Sequence, residues 1–174
     1  MILFLDKMPH IAALGYEDRI VGAGISSAHS ALTMPDMLDL PSRTLHLWTW
    51  ANISNYSWMM IHAKTLVGKY EEIHGVKHEF HDRIMEAYNQ PRNYDIPQGE
   101  EFTEVPLLMP EIYRTVEYEN PPPTTHEDAL HHRNVEMWVP DYASLSDAVE
   151  YYKIYHAALI ETALAEYTEM EMKQ

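Results

Sequence analysis

Apolar positions recur along most of this chain at the three-to-four-residue spacing of helix faces, and the exceptions mark where helices stop. Ile2-Leu3-Phe4-Leu5 is a short apolar run closed by Asp6 and Pro9, readable as a small strand or as a buried N-terminal arm. From Pro9 to Met34 the pattern is helical, with Ile11, Leu14, Ile20, Ile25 and Leu32 interleaved with small residues. Gly22 and Gly24 each cost a helix about 1 kcal/mol relative to Ala, so they predict close approach by another helix or a ligand, or else a break; close packing is the favoured reading. Pro35 to Ser42 is bracketed by prolines and reads as a connector. Leu45 to Tyr70 is the strongest helical stretch, apolar on nearly every side. Leu45, Trp48, Met59, Leu66 and Tyr70 form one stripe and Leu47, Trp50, Trp58 and Ile61 a neighbouring one, the pattern of a central helix contacted from several directions. Asn52, Asn55 and His62 lie on the first stripe; polar groups on a buried face need partners, so they are structural anchors or site residues.

Gly75 has the position of a C-terminal cap, and a further helix is expected from Val76 to about Asn89, where Pro91 stops it. Residues 91–143 hold Pro106, Pro110 and the run Pro121-Pro122-Pro123 and read as largely irregular. Ser144 and Asp147 have the spacing of a capping box and open a long C-terminal helix with Val149, Tyr152, His156 and Leu159 on its stripe. The expectation is a mainly α protein: one helical domain over 1–174, bundled around a Trp- and Tyr-rich central helix, with a Pro-rich loop region before the last helix.

Composition narrows the chemistry. The 174 residues include no Cys, which excludes disulfides, thiolate metal sites and cysteine nucleophiles. No run approaches the roughly 20 apolar residues of a membrane span, and the N-terminus lacks the basic start of a signal peptide, so a cytoplasmic protein is expected. Twelve Lys and Arg against 27 Asp and Glu leave a formal charge of −15, which argues against a broad basic surface tracking nucleic-acid phosphate and restricts any DNA contact to a local one.

Two clusters are candidates for chemistry. On an unbroken helix Glu71, His74, His78 and His81 would share a face able to hold a transition metal. Gly75 breaks that register, so a solvated junction is the preferred reading and no metal or cofactor is implied. His126, His131 and His132 follow the Pro run and read as loop residues rather than ligands. The second cluster is Tyr16-Glu17-Asp18-Arg19. Its carboxylate beside a guanidinium is either a plain ion pair or an acid oriented to stabilise developing positive charge.

Several blocks carry a resemblance: Ile2-Leu3-Phe4-Leu5-Asp6 with Pro9 and Ala12-Ala13; Asp18-Arg19-Ile20-Val21; Leu47-Trp48 with Asn55-Tyr56-Ser57-Trp58-Met59; Gly75-Val76-Lys77-His78; Met109-Pro110-Glu111-Ile112-Tyr113-Arg114; and Tyr151-Tyr152-Lys153. In this order they resemble an uncharacterised family of phage proteins and, more remotely, the small all-α pyrimidine-dimer DNA glycosylases. The glycosylase resemblance implies that Asp18 holds the place of the Glu that stabilises the charged sugar intermediate. Position 2, Thr in those enzymes, is Ile2 here, a bulky residue beside which Met1 is expected to be retained. Where the phage family carries basic and acidic side chains on its first helix this chain has Gly22-Ala23-Gly24-Ile25-Ser26-Ser27, so a divergent member that kept the fold and dropped the chemistry is one implication.

Two functions are therefore expected. In the first, the protein acts on a nucleotide or DNA base by glycosylase-like or base-modifying chemistry, with Asp18 as the electrostatic carboxylate, Arg19 as a phosphate or carboxylate contact, and Asn55, Tyr56, Trp58, His78 and Tyr113 holding or stacking the base. In the second it is a non-enzymatic acidic protein that binds a basic protein partner, presenting carboxylates much as DNA presents phosphates. A structural component of a phage particle is a third class. One continuous acidic face would favour the binder; a pocket joining Asp18, Arg19 and Tyr56 would favour the enzyme.

Overall fold

The computed structural model describes residues 4–33, 40–89, 96–97, 102–109 and 142–172. The protein is mainly α, and its centre is built around the arm that precedes the first helix. Phe4 lies in no strand and is fully buried. Its ring stacks on Trp58 at 4.6 Å and meets Trp48 edge-on at 5.2 Å and Tyr152 at 5.4 Å. The arm reading holds for Phe4 and Leu5; Ile2 and Leu3 lie outside the described residues.

The helical pattern from Pro9 is divided. Helix α1 spans Pro9–Leu14, with its proline in the first turn where a missing N–H costs nothing. Gly15 donates its N–H to Ile11 O and the chain then leaves the helix. Glu17 is extended, and its carboxylate caps a 3-10 turn, Asp18–Ile20, by accepting from Arg19 N at 3.0 Å. Helix α2 follows as Val21–Leu32. The break turns the Tyr16 ring into the core, where it takes the space a side chain at Gly24 would need: a Cβ there would sit 2.6 Å from Tyr16 Cε1 and 3.2 Å from Leu66 Cδ1. Close packing thus accounts for Gly24, whereas a Cβ at Gly22 would make only ordinary contact with Tyr70 and His78.

The stretch expected as one central helix is also two. Helix α3, Leu40–Thr49, starts inside the expected connector, and α4 runs Ile53–His74. Between them Asn52 is extended (φ −160°, ψ 169°), and its side-chain oxygen accepts from Asn55 N at 2.9 Å. An apolar stripe continues through the break because both helices face the same core. The polar cap, not the stripe, decides where the backbone turns. Helix α3 is fixed to the end of α2 through Ala31 O, which receives His46 Nδ1 at 2.9 Å and Trp50 Nε1 at 3.1 Å. Helix α4 packs against α1, α2, α3 and α5 and ends at Gly75, whose left-handed φ of 67° favours glycine and whose N–H reaches Glu71 O.

Helix α5 is His81–Asn89, five residues later than expected, because Val76–Phe80 form the turn that brings it back against α4. Two short strands, β1 (Val105–Pro106) and β2 (Tyr142–Ala143), pair antiparallel and lead into α6, Leu145–Met172. The Ser144–Asp147 capping box is present, with Ser144 Oγ donating to Asp147 Oδ2 at 2.7 Å and accepting from Asp147 N at 3.2 Å. Tyr152 ties α6 to the 102–109 segment: its hydroxyl accepts from Leu108 N at 3.0 Å and donates to Pro106 O at 2.9 Å. Among the described residues no helix is long and apolar enough to cross a membrane.

Candidate functional site

Titratable groups from the 3-10 turn, α4 and α6 meet around Glu17 and Asp18. Lys69, on α4, reaches it with a side chain only 14% exposed. Its ammonium donates to Leu14 O at 3.1 Å and to Tyr16 O, and approaches Asp18 Oδ1 at 3.5 Å. The two carbonyls are left over where α1 stops and the chain bends, so the cation satisfies backbone acceptors that the helix no longer does. From α6, His156 Nε2 accepts the Glu17 N–H at 3.4 Å, which puts the proton of the neutral ring on Nδ1. Burial lowers the His156 pKa below its ordinary value, with Glu17 opposing and Lys69 adding to that shift.

Asp18 and Arg19 do not form a pair with each other. Arg19 Nε lies 3.6 Å from Glu17 Oε1, and Asp18 faces Lys69. The Asp18 side chain is 66% exposed, at the start of the 3-10 turn. Lys69 and His156 were invisible to a motif reading because each comes from a distant helix. The signal that could have found Lys69 is a cation on the apolar face of α4, three residues after Leu66.

Asn55, Tyr56 and Trp58 are buried and face three directions. Asn55 Nδ2 donates to Trp48 O at 2.8 Å and Thr103 Oγ1 at 2.6 Å, while its Oδ1 accepts from Thr103 N at 3.2 Å. It joins the end of α3 to the 102–109 segment, the structural anchor that was one of its two readings. The Tyr56 ring packs edge-on against Trp50 at 5.1 Å. Trp58 Nε1 donates to Lys7 O at 3.0 Å, and its ring stacks on His62 at 4.7 Å. Tyr56 packs against Trp50 near the start of α4, whereas Asp18 faces Lys69 near its end.

His62 is fully buried, with Nδ1 donating to Pro9 O at 3.0 Å and Nε2 3.4 Å from the Tyr16 hydroxyl. Burial pushes its pKa down to about 4, against a smaller upward effect of the Pro9 carbonyl, so the ring is a neutral core group at pH 7. His78 belongs to the turn before α5, edge-on to Tyr70 at 4.9 Å. His81 Nδ1 meets Asp82 Oδ1 at 2.8 Å and its Nε2 is 3.8 Å from Glu71. Among the described residues no three His, Asp or Glu side chains are placed to share a metal ion. Tyr113, His126, His131 and His132 lie outside the described residues. Comparison of the chain with protein-family models, with curated proteins and with solved structures finds no match.

Proposed function

We propose that this protein is a non-enzymatic acidic interaction protein whose partner is a basic protein. One observation carries the reading: among the described residues no carboxylate is buried, while the side chains suited to holding a base, Asn55, Tyr56 and Trp58, are buried in the protein's own packing. A carboxylate kept at the surface is available to a partner and costs no desolvation until one arrives. The net charge of −15 supplies the long-range attraction for a cationic surface.

A second reading, an enzyme acting on a nucleotide or DNA base, is supported by the meeting of Asp18, Lys69, Glu17 and His156 at one turn. In that reading Asp18 stabilises positive charge and Arg19 contacts a phosphate or carboxylate.

One pair of measurements separates the two. The immobilised protein is offered cell lysate, and the soluble protein is screened for binding and turnover of nucleotides and of single- and double-stranded DNA. The binder predicts capture of a protein of high isoelectric point, released as salt rises from about 0.1 M to about 1 M and the screening length shrinks from about 10 to 3 Å. Turnover of a nucleotide or DNA substrate, lost in Asp18→Asn, would replace it with the enzyme.

A further inference from the structure

The turn between α4 and α5 is attached to α2 by rings, two of which are imidazoles. His29, on the last turns of α2, lies parallel to Phe80 with centroids 4.1 Å apart and planes 4° apart. His78 packs on the same Phe80 at 5.5 Å and on Tyr70 of α4 at 4.9 Å. The Nε2 atom of His29 is buried without a hydrogen-bond partner. Nδ1 of His78 accepts the N–H of Phe80 at 3.3 Å, which leaves the proton of the neutral ring on Nε2.

Protonation opposes this arrangement at both rings. A proton added to His78 Nδ1 turns the acceptor into a donor aimed at another N–H, so the bond to Phe80 is lost. A charge on His29 is partly buried and leaves an Nε2–H without an acceptor, a cost that attraction to the face of Phe80 offsets only in part. The charged groups facing His29 from the turn and α5 are Arg83 and His78, which oppose its protonation, and Glu79, which favours it; Glu79 also faces His78. Burial is the largest influence on each ring and disfavours the charged form, as the geometry requires. His81, between Glu71 and Asp82, has carboxylates on both sides, and a charge there does not push the segment away. Helix α5 itself contributes one buried residue, Ile84, whereas α4 contributes nine. Its attachment is thus the weaker of the two and the more exposed to loss of the stack.

We propose that the Val76–Phe80 turn together with α5 is a proton-released flap, held on α2 by the His29–Phe80–His78 stack and let go when those imidazoles take up protons, while α1, α2 and α4 stay assembled. The inference is independent of the identity of any partner.

Hydrogen exchange on the full chain at pH 7.5 and pH 5.5 (both about values around the ordinary imidazole pKa), corrected for intrinsic rates, tests it. Amides of residues 80–89 are expected to lose about ten-fold or more in protection at the lower pH beyond whatever loss the middle of α4 shows as the buried His62 destabilises the whole core. His29→Phe keeps a stacked ring that cannot be protonated, and His78→Asn keeps an acceptor for Phe80 N–H that does not titrate; in either variant the loss should shrink. Equal loss in α4 and α5, or the same loss in wild type and both variants, would overturn the proposal.

Discussion

His62 shows how a single residue makes the core sensitive to acid. Its ring is enclosed by Trp58, Tyr16 and the Pro9 carbonyl, and burial holds its pKa near about 4, against 6.5 in the unfolded chain. Because the folded value is the lower one, the unfolded chain binds the proton more readily. The stability this residue contributes is fully present above pH 6.5 and is lost as pH falls toward 4. The loss amounts to about 3 kcal/mol over that window. In His62→Gln, whose amide can still donate to the Pro9 carbonyl, urea denaturation at a series of pH values should show a stability curve flatter by that amount. A curve parallel to wild type would mean that the ring is hydrated. Trp48 and Trp58 are the complementary case of aromatic packing, both closed around Phe4, with Trp58 also donating its Nε1–H to Lys7 O. Truncation of either to Ala should cost about 3–5 kcal/mol in chemical denaturation, and an unchanged midpoint in both would contradict their burial.

At the scale of elements, two glycines in helices give opposite expectations. Gly24 of α2 faces Tyr16 at a distance no Cβ tolerates, while Gly68 of α4 has nothing within 4 Å of where a Cβ would stand. Gly24→Ala must displace a buried ring and should destabilise by about 1–3 kcal/mol. Gly68→Ala gains helix propensity without a clash and should stabilise by about 0.5–1 kcal/mol. Thermal denaturation of the pair checks both signs at once. The same elements show what was readable in the sequence. The helical class, the Gly75 cap and the Ser144–Asp147 box rest on local rules and could be read directly. The breaks at Gly15–Glu17 and at Trp50–Asn52 could not be read from hydrophobic spacing, since the residues on both sides of each break face one core and the stripe runs on. Asn52 was noticed as polar but not as a cap. The two-residue strands are too short to leave a pattern, and the Lys69–Asp18 approach joins residues 51 positions apart. Asp18 and Arg19 were legible as a charged cluster, either a plain ion pair or an oriented acid; that they lie on an exposed 3-10 turn, and what they face there, was not.

For the whole molecule, charge makes salt act in two opposed directions. A chain with 27 carboxylates and twelve Lys and Arg repels itself when compact, and among the described residues the ion pairs are few and mostly at the surface: Arg19–Glu17, Lys77–Asp82 and Lys153–Glu150, with Lys69 the more sheltered exception. Exposed pairs of this kind are worth about 0–1 kcal/mol each, so screening them removes little. Screening the net repulsion adds stability. The melting temperature should therefore rise with sodium chloride between about 0.05 and 0.5 M, a range over which the screening length falls several-fold. A basic partner responds the other way, because the attraction that speeds its encounter is screened over the same range. Asp18→Asn alone should change such an affinity by less than about ten-fold, since one surface carboxylate among 27 carries little of the field unless it lies at the centre of the interface. Neutralising Glu71, Glu72, Glu79 and Asp82 together removes four of the exposed charges around the α4–α5 turn and should weaken the complex more than Asp18→Asn does while raising the melting temperature. Scanning calorimetry and partner titration at matched salt concentrations measure the two effects on one sample. A melting temperature that falls with added salt would show that the surface ion pairs outweigh the repulsion, and an affinity indifferent to salt would remove the electrostatic basis for a cationic partner.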